Sequence, residues 1–309
     1  MKKLLVVVGP TGTGKTDLAL ELAKKFDAEI ISADSRQIYI GMDIGTGKIP
    51  QSRKYKKEKG EWIIDGVPIH LYDVIAPDKT FSVVAYQQLA YEVINEVHKR
   101  NRLPILVGGT GLYVRAVVEG LKIPKVAPNQ NIRRHLEAQP LKTLVNELEK
   151  VDPSSAQRVD RSNPRRIIRA LEIFYETGLP ASELKDKFKI NFDTLTIGLT
   201  SDREYLYGRV DKRINGWVSS GWVDEVKGLL DKDYQDAPSL TSLGYRQLAM
   251  YLKNQITLAE AKKRIKFEHH RYIRSQLTWF RKDKNIFWFD IKTPKFRGRV
   301  AHTVGEWIR

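Results

Sequence analysis

The chain has 309 residues, 41% hydrophobic and 29% charged, which fits one large or two medium globular domains with a sizeable core. Its 53 Lys and Arg outnumber 37 Asp and Glu, and the net charge of +16 points to a polyanionic partner, nucleic acid or an anionic membrane surface, ahead of a merely solubilising surface. Cysteine is absent, which excludes disulfides, a thiolate nucleophile and Cys-ligated zinc; no apolar run approaches a membrane span or a signal segment, so a cytoplasmic protein is expected.

Residues 4–8 are a short aliphatic run that suits a buried parallel strand. Gly9-Pro10-Thr11-Gly12-Thr13-Gly14-Lys15-Thr16 follows, and apolar periodicity over 15–26 predicts a helix. Strand, glycine-rich turn and helix in that order form the context in which G-x-x-x-x-G-K-[ST] binds phosphate, rather than a turn that only redirects the chain. Glycines let successive backbone N–H groups point inward, and the helix start adds the positive end of its dipole. Lys15 supplies a full charge for the terminal phosphates, and the Thr16 hydroxyl can ligate Mg²⁺. The loop does not say which phosphate ester it holds.

Residues 29–33 predict a second strand, ending in Asp34-Ser35-Arg36-Gln37-Ile38-Tyr39. Residues 41–48 hold too much glycine for a regular element, and the basic tract 53–59 is expected to be a solvated loop. Residues 67–71 read as a minor strand whose Pro68 argues against a central position. An amphipathic helix over 83–100 and a third strong strand over 103–107 follow, the strand running directly into Gly108-Gly109-Thr110. If the three strands are parallel neighbours, the phosphate loop, 34–37 and 108–110 converge on one cleft, because ligands of doubly wound sheets lie beyond the carboxyl ends of the strands. The expected fold class is α/β, a P-loop NTPase-like parallel sheet core flanked by helices.

From 121 to 193 strand signals vanish and helical periodicity takes over, which predicts an all-helical insertion domain between core segments 1–120 and 194–309. Asn163-Pro164 marks a helix start; behind it Ile167, Leu171 and Phe174 share one face and Arg165 and Arg169 another. A grip on a polyanion and a solvated charged face account equally well for that helix taken alone. Residues 195–199 return as a strand, and a helix led by Asp202-Arg203 carries Arg209 and Arg213. A long basic helix spans 258–282, where His269 reads as a satisfied core side chain rather than a ligand. Residues 286–289 predict a last strand before a short amphipathic end.

Taken in order, these motifs resemble the tRNA dimethylallyltransferase (tRNA isopentenyltransferase) family over essentially the whole chain. The resemblance rests on Gly9-Pro10-Thr11 with Gly14-Lys15-Thr16, on Asp34 to Tyr39, on Gly41-Met42-Asp43-Ile44-Gly45-Thr46 and on Leu106-Val107-Gly108-Gly109-Thr110-Gly111-Leu112-Tyr113. It continues through Asn163-Pro164-Arg165-Arg166, Gly244-Tyr245-Arg246-Gln247 and Gln276-Leu277-Thr278-Trp279-Phe280-Arg281. The chain departs from the family pattern at Gly12-Thr13 in the phosphate loop, in the longer Gly45-Thr46-Gly47-Lys48-Ile49-Pro50, and at Ile69 before His70. These 309 residues hold no cysteine, so the cysteine-dependent zinc finger of eukaryotic relatives is not expected among them.

The resemblance implies transfer of a dimethylallyl group from dimethylallyl diphosphate to the exocyclic N6 amine of the adenosine 3′-adjacent to the anticodon of tRNA, by a monomer using Mg²⁺. The phosphate loop (Gly9, Pro10, Thr11, Gly12, Thr13, Gly14, Lys15, Thr16) and Arg213 would hold the diphosphate, with Arg209 as the alternative and Thr16 at the metal. Asp34 would act as general base and Thr110 as a polar orienter between the substrates. Read from the residues alone, Asp34 is as readily a Mg²⁺ ligand or a helix cap, and Gly108-Gly109-Thr110 an ordinary tight turn. Ser35, Arg36 and Gln37, with Asp34 and Thr110, would meet the flipped adenine and its neighbours. Arg133, Arg165, Arg166 and Arg169 would grip the anticodon stem-loop backbone. Three rivals stay open: prenylation of free adenine nucleotides, which needs neither the insertion nor the charge; a P-loop nucleotide kinase; and an RNA-binding protein using nucleotide as a switch.

Overall fold

Leu4, Leu5, Val6, Val7 and Val8 are wholly buried and point alternately to two separate apolar clusters, as residues of a strand covered on both faces must. The computed structural model describes residues 2–49, 53–124, 126–184, 186–188 and 190–309. It divides into two compact units, Met1–Val118 with Asn191–Arg309, and Glu119–Ile190.

The larger unit begins β1 (Lys2–Val8), α1 (Lys15–Phe26), β2 (Ala28–Ser32), β3 (Tyr55–Glu58), β4 (Gly60–Ile64), β5 (Val67–Tyr72), α2 (Val83–Lys99), β6 (Leu103–Gly108) and α3 (Gly111–Val118). The smaller unit holds β7 (Leu121–Lys122), α4 (Gln130–Glu137), α5 (Leu141–Val151), α6 (Pro153–Arg158), α7 (Pro164–Thr177) and β8 (Asp186–Lys187). The larger unit then resumes with β9 (Phe192–Thr200), α8 (Arg203–Ser219), α9 (Trp222–Leu230), α10 (Tyr245–Leu252), α11 (Leu258–Phe280), β10 (Ile286–Asp290) and α12 (Phe296–Ile308). Helix starts follow local chemistry: Ser82, Asp202 and Thr257 each accept a backbone N–H of the first turn of α2, α8 and α11.

The sheet runs β10-β9-β1-β6-β2-β5-β4-β3. Pairing is parallel from β10 through β5 and antiparallel from β5 to β3. Leu5 and Val7 pack toward α1 and α12, while Leu4, Val6 and Val8 pack toward α2 and α3. A third cluster joins α8, α9, α10 and α11 around Trp222, Tyr245 and Ile265. The α/β class and the parallel core flanked by helices agree with expectation, and β1, β6 and β2 are adjacent parallel strands. His269 is a satisfied core residue: its Nδ1 lies 2.8 Å from Ile265 O, and burial pushes its pKa down. No helix among the described residues is long and apolar enough to cross a membrane.

Three local expectations are corrected. The basic tract is not a loop, because β3 pairs with β4 and Tyr55 stacks on the buried Trp62 at 5.4 Å. All four β3 residues are exposed, so no alternation marked it, and its lysines suit a guarded sheet edge. Secondly, β5 lies inside the sheet despite Pro68; its parallel pairing with β2 begins only at Ile69, so the absent N–H is not required there. Thirdly, the smaller unit is not all-helical. Its helices enclose Leu136, Leu144, Leu148, Ile167 and Leu171, but β7 and β8 pair antiparallel, two residues each, too short to leave a sequence period.

Candidate active site

β1 ends at Val8 and Gly9 turns at once with φ +140°; a Cβ there would stand 2.3 Å from Leu199 O on β9. Glycine is therefore required both for the dihedral and for the space. Thr13 Oγ1 donates to Pro10 O at 2.9 Å and Leu18 N–H to Gly14 O at 3.1 Å, closing the loop onto the start of α1. Lys15 folds back over the loop, Nζ donating to Pro10 O at 2.9 Å. From α8, Arg209 Nε donates to Gly12 O at 2.7 Å.

Burial pushes the Lys15 amine down to about 8; the nearby Asp34 carboxylate opposes this, and the Arg213 guanidinium reinforces it. Arg213 is held below its ordinary value too, first by burial and then by the charge of Arg209, against Asp17. Lys15 and Arg213, both desolvated, with the exposed Arg209 beside them, gather positive charge at one loop, which is unfavourable until an anion joins them.

The ends of β2 and β6 are stitched together beside that loop. Gly108 permits the close approach, since a Cβ on it would lie 2.1 Å from Ala33 O. Thr110 N–H donates to Ala33 O at 3.2 Å, and Ser35 N–H donates to Thr110 Oγ1 at 3.0 Å. Asp34 Oδ1 accepts from Arg36 N–H at 2.9 Å, the turn-capping bond its type favours. Tyr272 on α11 joins the group: burial and then the Asp34 charge push its phenol up, against the Thr110 side chain. Asp34, Thr110 and Lys15 thus share the carboxyl end of neighbouring strands. Gln37 is committed elsewhere, accepting from Ser32 Oγ at 2.7 Å and donating to Thr46 O at 3.1 Å.

Residues 39–48 have little regular structure, yet they are held firmly by side chains that no motif disclosed. Glu225 on α9 accepts the N–H groups of Asp43 at 2.9 Å, Ile44 at 2.7 Å and Gly45 at 3.3 Å, and the Tyr245 hydroxyl at 2.6 Å. The Lys48 ammonium, 1% exposed, donates to Asp43 at 2.8 Å, Asp73 at 2.5 Å and Tyr39 O at 2.7 Å. Only the glycines of 41–48 hinted at this; Glu225 lies too far along the chain for spacing to show it.

In the smaller unit the four expected arginines divide. Arg165 and Arg166 are exposed on the first turn of α7, whose Asn163 makes no side-chain capping bond. Arg133 and Arg169 are tied to Glu172, which is fully buried: Arg133 Nε and Asn129 N–H reach Oε1 at 2.8 Å, and Arg169 reaches Oε2 at 2.5 Å. Burial works to raise the Glu172 carboxyl, but these bonds outweigh it and hold it below the usual carboxylate range.

Among the described residues no group of three His, Cys, Asp or Glu could enclose a metal ion. The Thr16 hydroxyl lies in the first turn of α1 and is the oxygen that would hold Mg²⁺.

Residues 37–283 match the family described as IPP transferase. The chain is 43% identical to the tRNA dimethylallyltransferase of Thermomicrobium roseum, covering 99% of this chain and 92% of that protein. It is 41% identical to the tRNA dimethylallyltransferase of a Roseiflexus species, covering 100% and 99%. The crystal structure of the full-length tRNA isopentenylpyrophosphate transferase from Bacillus halodurans superposes with a TM-score of 0.73 at 38% identity, over 100% of this chain and 97% of that one. A eukaryotic dimethylallyltransferase acting on tRNA gives 0.79 at 25% identity, over 100% of this chain and 80% of that one.

Proposed function

The chain belongs to the IPP transferase family, a family of prenyltransferases, and on that premise we propose that it moves the dimethylallyl group of dimethylallyl diphosphate onto the N6 amine of the adenosine 3′-adjacent to the anticodon in tRNA, releasing diphosphate. The observation that supports this most is the desolvated pair Lys15 and Arg213, with Arg209 bonded to the same loop, beside the carboxylate of Asp34. Leaving group and acceptor chemistry then have separate, adjacent homes.

As the allylic carbon departs, negative charge builds on the diphosphate oxygens. Lys15, the loop N–H groups and Arg213 stabilise that charge more in the transition state than before it. One unit pair at ~4 Å is worth about 4 kcal/mol at an effective dielectric near 20, so two such contacts are decisive. Thr16 is the residue that would hold Mg²⁺, which when bound neutralises diphosphate charge. On the other side, the exocyclic amine is a weak nucleophile because its lone pair is delocalised into the ring. Asp34 takes its proton as the C–N bond forms, help worth roughly 10² to 10⁴ in rate. Thr110 orients the acceptor, and Ser35 and Arg36 meet the flipped base and its neighbours.

Arg165 and Arg166 place positive charge at the positive end of α7, an unfavourable arrangement that an RNA phosphate would reverse. They are the primary backbone grip, with Arg133 and Arg169 contributing through Glu172. Transfer of radiolabel from dimethylallyl diphosphate to tRNA with an adenosine-rich anticodon loop, with Mg²⁺ present, tests the proposal. Label appearing only on free adenine nucleotides, or nucleotide hydrolysis without transfer, refutes it.

A further inference from the structure

Gln276 opens the motif Gln276 to Arg281, to which the chemistry above assigns no part. Its side chain is buried, 5% exposed, and reaches from α11 to both loops of the site. Oε1 accepts from Thr11 N–H at 2.9 Å, and Nε2 donates to Gly109 O at 3.0 Å. The fit leaves no slack, since a Cβ on Gly109 would stand 2.3 Å from Nε2. Neighbouring turns of α11 support the contact: the Tyr272 phenol feels both Thr110 and Gln276, and Trp279 Nε1 would lie 2.1 Å from a Cβ on Gly111. Bridging an N–H to a C=O requires an acceptor and a donor on one short planar group. Among side chains of this length glutamine supplies both, whereas glutamate lacks the donor and leucine lacks each.

We propose that Gln276 is a positioning residue: its carboxamide fixes the phosphate loop against the Gly108-Gly109-Thr110 turn and so sets the separation between the departing diphosphate and the acceptor amine. This rests on the prenyl-transfer function proposed above. The displacement is sensitive to that separation, and a misplacement of about 1 Å costs on the order of 100-fold in rate.

Two variants test it. Gln276→Glu keeps an acceptor for Thr11 but turns an acceptor onto Gly109 O; Gln276→Leu removes both bonds. In each, single-turnover transfer is expected to fall ~100-fold while the Kd values for dimethylallyl diphosphate and for tRNA stay within about threefold of wild type. Hydrogen exchange without substrates gives an independent readout. Segments 9–14 and 108–111 should both exchange faster in Gln276→Leu, and 108–111 alone in Gln276→Glu. Transfer within about threefold of wild type overturns the proposal. So does a loss of affinity for both substrates large enough to account for the slower rate, which marks an ordinary structural role. Unchanged exchange at 108–111 in Gln276→Leu overturns it as well. If the wild-type protein transfers nothing to tRNA, the prenyl-transfer function itself fails, and the exchange data still decide whether this amide joins the two loops.

Discussion

Glu172→Gln removes the charge of a fully buried carboxylate of the smaller unit. The wild-type side chain receives donors from Arg133, Arg169 and Asn129 on its two oxygens. A glutamine offers one oxygen and turns an NH₂ toward a guanidinium, so at least one donor is left facing another. Breaking a buried ion pair from one side typically costs about 3–5 kcal/mol. Arg133 and Arg169 retain 31% and 33% exposure and can rehydrate, so the lower figure, about 3 kcal/mol, is expected. At 1.4 kcal/mol per factor of ten, that is roughly 100-fold faster hydrogen exchange in α4 and α7, where exchange follows the local opening equilibrium. The exposed Arg165→Ala, which removes an unfavourable charge at the start of α7, should not speed exchange at the same amides. Exchange in α4 and α7 within about threefold of wild type would refute the reasoning, since it would mean less than ~0.7 kcal/mol rested on the cluster.

Asp34→Asn keeps the Oδ1 acceptor for Arg36 N–H and removes only the basic charge; transfer should fall roughly 10²- to 10⁴-fold with tRNA affinity little changed, and near-normal turnover would dismiss Asp34 as the base. Arg165→Ala combined with Arg166→Ala should weaken tRNA binding and lower its log–log salt slope by about 1.4 to 1.8, with diphosphate affinity unaffected; an unaltered slope would return α7 to a solvated face. Burial pushes the Lys15 amine down to about 8, and a bound diphosphate, which prefers the charged form, must raise that value. Diphosphate affinity should therefore be level near pH 7 and fall by up to tenfold per unit above pH 8, with proton uptake on binding in calorimetry at pH 8. Affinity that is flat from pH 7 to pH 9 would remove Lys15 from the contact.

What the sequence disclosed is what depends on near neighbours in the chain. The phosphate loop announces itself because strand, glycines, Lys15 and the amphipathic α1 are contiguous, β6 because its aliphatic run is buried on both faces, and β9 because Leu195, Ile197 and Leu199 alternate onto one buried face. The adjacency of β1, β6 and β2 was only a condition of the cleft reading, carried by no local signal, and it is the sheet order that supplies it. Hidden features join distant residues. Glu225 caps residues 43–45 from α9, Gln276 spans two loops from α11, and Glu172 claims Arg133 across the smaller unit. Glu225 and Glu172 look like ordinary helical polar residues in their own segments, and the motif at Gln276 does not say what its side chain reaches. The β3–β4 hairpin escaped for the opposite reason, since its outer strand has no buried face to leave a period. Pro68 misled because its penalty applies only on a side where a partner asks for the missing N–H.

The anchoring of residues 39–48 has a thermodynamic consequence. With Lys48 sunk between two aspartates and three successive amides gathered by Glu225, this stretch surrenders its chain entropy when the polypeptide folds, long before any ligand arrives. Whatever docks against it meets a finished wall, so the free energy of contact goes into holding the guest and none is diverted into shaping the host.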